Sequence, residues 1–225
     1  MSTFLLFVLV GVVAVGLLLW RLATARGRSL TQRAAIEQLG FRACLDQKAW
    51  LEETVTRIEN NRGFRYEVRD PKRWSGEPPV YCYIKMRHRY GHEDAVAEEE
   101  ILFPLKRPPA GALVLMVKPT SLAPGLATRV LGAIATGPWD SQPDDLQRLD
   151  LPRDLRNTNL VAALGPSGAS LYDLVDADTI SVVLGLGDAG GMLVRFRDSW
   201  CSVASAGSQI PFRVAEVLAR IRSIL

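Results

Sequence analysis

Four groups of residues in this chain have the types that chemistry uses. The first is Gly185-Leu186-Gly187-Asp188-Ala189-Gly190, which spells G-x-G-x-x-G after an apolar run. That spacing cradles a pyrophosphate when a strand leads into a helix whose N-terminus faces the phosphates. Here Gly191-Met192-Leu193-Val194-Arg195-Phe196 follows and reads as a strand, and no acid stands where the ribose would need one. The glycines are therefore read as a hairpin turn in which they supply positive φ.

The second group is His88 and His92, the only two histidines, which flank Arg89-Tyr90-Gly91 and precede Glu93 and Asp94. Imidazole and carboxylate together can hold a metal ion. Strand alternation places His88 beside Cys82, Ile84 and Met86, while His92 falls in a turn, so no third ligand is fixed. The third group, Asp140, Asp144 and Asp145 beside Trp139, lies in a proline-rich stretch. Neighbouring carboxylates can move protons or bind a cation. They are equally the residues of turns and helix caps, and that reading is preferred.

The fourth group is a face. In Val80 to Tyr90, Tyr81, Tyr83, Lys85, Arg87 and Arg89 point one way, a basic and aromatic surface of the kind that stacks on a polyanion. The returning segment Glu98 to Leu105 is expected to place Glu100 opposite Arg87 and Glu98 opposite Arg89. That pairing neutralises the face, and nucleic acid is not expected as a partner. Cys44, Cys82 and Cys201 match no metal or redox spacing and read as small buried hydrophobes in a reducing compartment. There is no G-x-S-x-G elbow and no Cys close to a His. No catalytic, cofactor-binding or metal-ligating residue is assigned, and no cofactor is expected.

The elements that would position these residues begin with an anchor. Phe4 to Trp20 holds no polar side chain. As a helix at about 1.5 Å per residue it spans roughly 25 Å, enough for a hydrocarbon core. Arg21, Arg26, Arg28 and Arg33 follow it, with no acid before Glu37. Basic residues are retained on the cytoplasmic side, so the expected orientation is N-terminus outside and C-terminal domain in the cytoplasm. Ala23-Thr24-Ala25 also fits a signal cleavage pattern, but no basic region precedes the apolar run and Arg21 interrupts the approach to the cut. Four of the 27 basic residues and none of the 24 acids lie in residues 1–33, so the rest carries 23 against 24 and a net charge of −1. The basic excess is a juxtamembrane collar, and the domain itself lacks the surplus that nucleic acid requires.

The remaining chain reads as helix from Asp46, strands Phe64 to Arg69, Val80 to Tyr90, Glu98 to Leu105 and Ala112 to Lys118, then a helix after Pro124-Gly125. An irregular stretch 136–170 precedes a short helix at Leu171 to Val175. Three further strands are expected at Thr179 to Leu186, Met192 to Arg197 and Ser199 to Ser205, and a terminal helix after Pro211. The fold class expected is α+β: an N-terminal transmembrane helix, then an antiparallel sheet with helices packed on one face. The domains expected are 1–28, anchor and collar, and 29–225, a cytoplasmic domain. The element order admits two similar halves, 46–135 and 168–225, joined by a Pro-rich loop 136–170. The function expected is a single-pass membrane protein that presents its domain to another protein. It would contact lipid through residues 4–20 and the arginine collar. The alternative is a membrane-bound enzyme or small-ligand domain with its site under the 136–170 loop.

Overall fold

The computed structural model describes residues 34–120, 143–205, 213–222 and 224. The apolar run 4–20, the helix expected after Pro124-Gly125, and Trp139, Asp140 and Pro211 lie outside the described residues. Among the described residues no helix is long and apolar enough to cross a membrane. The chain divides into two units, Met1–Gly40 and Phe41–Leu225. In the first, residues 34–38 are helical and stop at Gly40, whose φ of 92° is the left-handed conformation that suits glycine at a helix end.

The second unit is built on one nine-stranded sheet in which every pairing is antiparallel. The strands are β1 (Phe41–Ala43), β2 (Phe64–Trp74), β3 (Tyr81–Arg89), β4 (Ala95–Pro104), β5 (Leu113–Val117), β6 (Gln147–Arg148), β7 (Leu160–Gly165), β8 (Met192–Arg197) and β9 (Trp200–Ser205). Their order across the sheet is β1-β2-β3-β4-β9-β8-β5-β7-β6. The α+β class therefore stands. The two expected halves do not form separate bodies. The β8–β9 hairpin of the second is inserted between β4 and β5 of the first, because β4 needs a partner along Glu100–Pro104 and β9 supplies it.

Helix α1 (Lys48–Glu59) buries Leu51, Thr54, Val55, Ile58 and Glu59, a stripe at i, i+3, i+4, i+7 and i+8. It ends at Asn60, which adopts the left-handed conformation at φ 40°. Its apolar stripe packs on Tyr66, Val68, Tyr81, Tyr83 and Leu102. A bulge between Arg69 and Lys72, with Asp70 at φ 49°, resets the alternation of β2, so that Val68 and Arg73 share the face under α1. Glu52 of α1 accepts a hydrogen bond from the Val68 N–H at 3.0 Å, closing a donor that an edge strand would otherwise offer to another chain.

The other helices are α2 (Leu171–Leu174), α3 (Ala177–Gly185), which runs into a 3-10 turn Leu186–Asp188, and α4 (Val214–Ile221). Helices cover both faces of the sheet, not one. Leu164 packs with Val114, Met116 and Leu193 on the face that carries Arg195 and α1. Gly165 points to the opposite side, where a Cβ would stand 2.8 Å from Leu174 of α2. The sequence hides this because β5 and β8 are buried along nearly their whole length, and a strand buried on both faces shows no alternation.

Two further expectations change. The described part of the stretch 136–170 is not a crossing loop, since β7 pairs along β5 in the body of the sheet. Its Leu-Val-Ala-Ala-Leu-Gly sequence has little β-branched weight, and its last residue, Gly165, lies where Leu149 and Leu174 press in. Thr179 to Leu186, expected as a strand, lies in α3 and the 3-10 turn that follows it. Asp176 caps α3 by accepting the Thr179 N–H at 2.7 Å, and the cap and tertiary packing override the β-branched run.

Candidate functional site

The densest group of charges lies beneath the end of α1. Lys85, in the middle of β3, stands opposite Glu98 of β4, with Glu100 two residues further along the same face. Its Nζ is 3.1 Å from Glu98 Oε2 and 3.2 Å from Glu100 Oε2. From above, Glu59, the last residue of α1, hydrogen-bonds the same Nζ. Arg195 reaches in from β8, with Nε 3.3 Å from Glu59 Oε1 and Nη1 3.7 Å from Glu100 Oε1. It crosses β9 at the small residues Ser202 and Ala204, which leave room for the guanidinium. Arg87 completes the set at the rim, 3.9 Å from Glu98 and over the Phe64 ring. Three acidic side chains thus meet three basic ones.

Lys85, Glu59, Glu100 and Arg195 are between 0 and 3% exposed. Burial alone would push the Lys85 ammonium toward neutrality, and Arg195 works in the same direction. Glu100, Glu59 and Glu98 outweigh both and raise its pKa. Glu98 is also penalised by burial, yet Lys85, Arg195 and Arg87 bring it down to about 2. The hydroxyls of Tyr66, Tyr83 and Ser202 are buried around the cluster without a hydrogen-bond partner. Burial first, and then Glu59 for Tyr66 and Glu100 for Tyr83, raise both phenols. The arrangement holds its charges fixed and shuts out solvent. A substrate cannot reach it while α1 is in place, so its chemistry is that of a polar lock between helix and sheet.

The expected pairing of the basic face is corrected in register and in direction. Lys85, not Arg89, faces Glu98; Tyr83, not Arg87, faces Glu100; and Arg87 faces Val96. Strand β4 starts at Ala95, so the turn is shorter than expected and each partner moves by four residues, as Arg87 does from Glu100 to Val96. The face with Tyr81, Tyr83 and Lys85 is turned inward under α1, because a lysine can be buried once several carboxylates surround it. The polyanion platform is therefore consumed by the core.

The described acids of the proline-rich stretch are held by contacts within the fold. Asp144 accepts the Arg62 N–H and donates its own N–H to Asn60 O, while Asp145 accepts two bonds from Arg197, at 2.8 and 2.9 Å, and one from Asn60. Arg197 holds the Asp145 carboxyl below its ordinary range. These acids clamp the C-terminus of α1. His88 stands 3.6 Å from Glu67, and His92 is exposed in the turn. Among the described residues no group of three or more His, Cys, Asp or Glu could hold a metal ion. Cys44, Cys82 and Cys201 are free and buried.

The G-x-G-x-x-G run is not a hairpin turn. It forms the end of α3 and the 3-10 turn, and Gly187 lies where a Cβ would meet Asn159 and the Lys118 carbonyl, the latter at 2.8 Å. Asp188 pairs with Arg220 at 2.6 Å and accepts from Thr120 at 2.8 Å. Gly187→Ala should cost about 1–3 kcal/mol, because a methyl group must displace backbone rather than a flexible side chain. Thermal unfolding checks this; an unchanged midpoint would mean that Lys118 and Asn159 yield freely.

Sequence reasoning missed Glu59 and Arg195. Both carried a signal. Glu59 continues the apolar stripe of α1 at i+8 from Leu51, and Arg195 interrupts the apolar run Met192–Phe196. A charge at a core position implies an opposite charge facing it. Outside the cluster, a small open cleft of about 230 Å³ is lined by Leu105, Lys106, Arg107, Asp176, Asp178 and Thr179. Its acids and bases are mixed and Asp176 is already spent on its cap. No protein family, no curated protein and no solved structure matches this chain.

Proposed function

We propose that the chain is a single-pass membrane protein whose cytoplasmic α+β domain makes contact with another protein. The membrane part rests on the sequence: the apolar run 4–20, the arginine collar behind it, and a domain of near-neutral charge. The observation that carries the contact is the β3–β4 hairpin. Residues 89–97 at its end are all exposed, and they include Tyr90 at 64% and Val96 at 45%. An aromatic and an aliphatic side chain on a projecting tip, with Arg89, Glu93 and Asp94 around them, suit a protein partner better than a small ligand. The charge cluster serves this role indirectly, by fixing the strands from which the hairpin extends.

A photo-crosslinking residue at Tyr90 of the full chain in its own membranes tests the contact. The expected result is a discrete protein adduct that is absent when the probe stands at Tyr172, an exposed tyrosine on another element. No adduct at either position would overturn the reading. For the anchor, deleting residues 1–28 should move the chain from the membrane to the soluble fraction, because no later apolar stretch has spanning length. Retention of the truncated chain on membranes after a high-salt wash would contradict that expectation.

A further inference from the structure

The two outer edges of the nine-stranded sheet are short, three residues in β1 and two in β6. Brevity of that kind, like the Glu52 carboxylate on the Val68 N–H, keeps an edge from pairing with another chain. An inner strand is less protected. Strand β4 runs from Ala95 to Pro104, but β9 accompanies it only along Glu100–Pro104. Strand β9 ends at Ser205, and among the described residues none pairs with Ala95–Ala97 on the side away from β3.

The direction of the backbone groups there follows from the ladder. The Tyr90 N–H donates to Gly63 O at 3.2 Å, so the even-numbered residues of β3 bond to β2 and the odd-numbered ones to β4. Arg87 and Lys85 face Val96 and Glu98, which therefore bond back to β3. Ala95 and Ala97 turn their N–H and C=O groups outward. Ala95, Val96 and Ala97 are all exposed, and neither proline nor lysine interrupts them. Ala97 faces Met86 and Ala95 faces His88, and the two small side chains leave room beside the half-buried Met86.

Charge selects the kind of strand that fits. Residues 93–100 hold five acids and no base. Glu98 and Glu100 turn in toward Lys85, while Glu93 and Asp94 are exposed at the start of the open stretch. A second copy of this chain is a poor occupant. In an antiparallel pair of copies centred on Val96, Asp94 would face Glu98 of the second copy, and like charges directly opposite are unfavourable. A strand with apolar side chains opposite Ala95–Ala97 and lysine or arginine at its ends meets both the backbone groups and the acids.

We propose that the Ala95–Ala97 edge of β4 binds a basic and apolar extended segment of another protein by adding it to the sheet as a strand. The proposal rests on the reading of the hairpin as the protein contact and names how that contact is made. Main-chain hydrogen bonds supply the affinity, and the alanines and flanking acids supply the selectivity.

The test uses the full chain in detergent micelles, with isotopically labelled alanine reporting the Ala95 and Ala97 amides by NMR. The probe is the end-blocked peptide Lys-Lys-Val-Val-Leu-Lys, and its control carries Glu in place of each Lys. The basic peptide should shift both amides and slow their hydrogen exchange, and the acidic one should not. Ala97→Pro removes one outward donor and no bond to β3, so the fold should survive. Binding should weaken about tenfold, the cost of one main-chain hydrogen bond lost against an acceptor left bare. Should proline disturb β4, as melting would show, Ala97→Lys keeps the N–H and sets a like charge against the basic probe, with weaker binding again expected. Equal binding of the two peptides, or no effect of either variant, would overturn the proposal. So would protection of Ala95 and Ala97 before any peptide is added. That result would mean that the edge is already taken, by residues after Ser205 if protection is independent of concentration and by a second copy if it rises with concentration. Loss of the Tyr90 crosslink in Ala97→Pro, with melting unchanged, is the expected result in native membranes. A Tyr90 adduct that persists in Ala97→Pro would overturn strand addition and leave the hairpin contact standing. Absence of any adduct in the parent chain would remove the hairpin reading and this proposal with it.

Discussion

Lys85→Met is expected to destabilise the domain by about 3–5 kcal/mol, the cost typical of breaking a buried ion pair from one side. The lysine is fully buried and three carboxyl groups approach its Nζ. Without it, Glu59 and Arg195 still meet, but Glu98 and Glu100 face each other's charge with one cation fewer. Glu59→Leu added to Lys85→Met should recover a large part of the loss. The double variant leaves two acids and two bases, with Glu98 near Arg87 at 3.9 Å and Glu100 near Arg195 at 3.7 Å. Replacing both members of a buried pair with apolar groups is often neutral, whereas removing one is not. Urea unfolding of the chain in mild detergent, followed by tryptophan fluorescence, measures both. Simple addition of the two single losses would mean that Lys85 and Glu59 act independently and that the cluster is not one unit.

Much of the fold could be read from the chain where one face of an element meets solvent. The strand Tyr81 to Arg89 appears where its alternation put it, and the stripes Leu51, Val55, Ile58 and Val214, Leu218, Ile221 appear as the buried faces of helices. Where both sides of an element are buried, the signal disappears. Thr179–Gly185 has the residues of a strand and becomes helix through its Asp176 cap, and Leu160–Gly165 has too many small residues to read as a strand yet sits in the sheet. The site failed for a different reason. The sequence lists Lys85 among charged residues on one face and so suggests solvent. Burial follows only from Glu59 and Arg195, which lie 26 residues before it and 110 after it. Periodicity reports on neighbours within one element, while a buried charge is decided by partners on other elements.

Those partners also set the response to acid, which should be dominated by Glu98. Its ordinary carboxyl value of 4.5 falls to about 2 in the folded protein: burial opposes the drop, and Lys85, Arg195 and Arg87 more than overcome it. A carboxyl depressed by folding stabilises the native state above its unfolded value and loses that contribution as pH falls toward the folded one. The native state should therefore lose stability on the order of 3 kcal/mol between about pH 4.5 and pH 2 from this group. Glu98→Gln should be less stable than the parent at pH 7, because Lys85 and Arg87 lose a charged partner. It should also lose less on acidification, so the two unfolding curves converge near pH 2. On the alkaline side the sign reverses. The raised Lys85 pKa gives stability that is present below its ordinary value of 10.5 and declines only as pH climbs above that. Denaturant midpoints collected from pH 2 to pH 11 for parent and variant decide the matter. Parallel acid limbs in the two proteins would mean that Glu98 does not titrate in this window and that other carboxyls govern acid unfolding. Convergence at low pH would place the acid-labile part of the stability at the outer end of the cluster, where Glu98 and Arg87 join the buried charges to the hairpin.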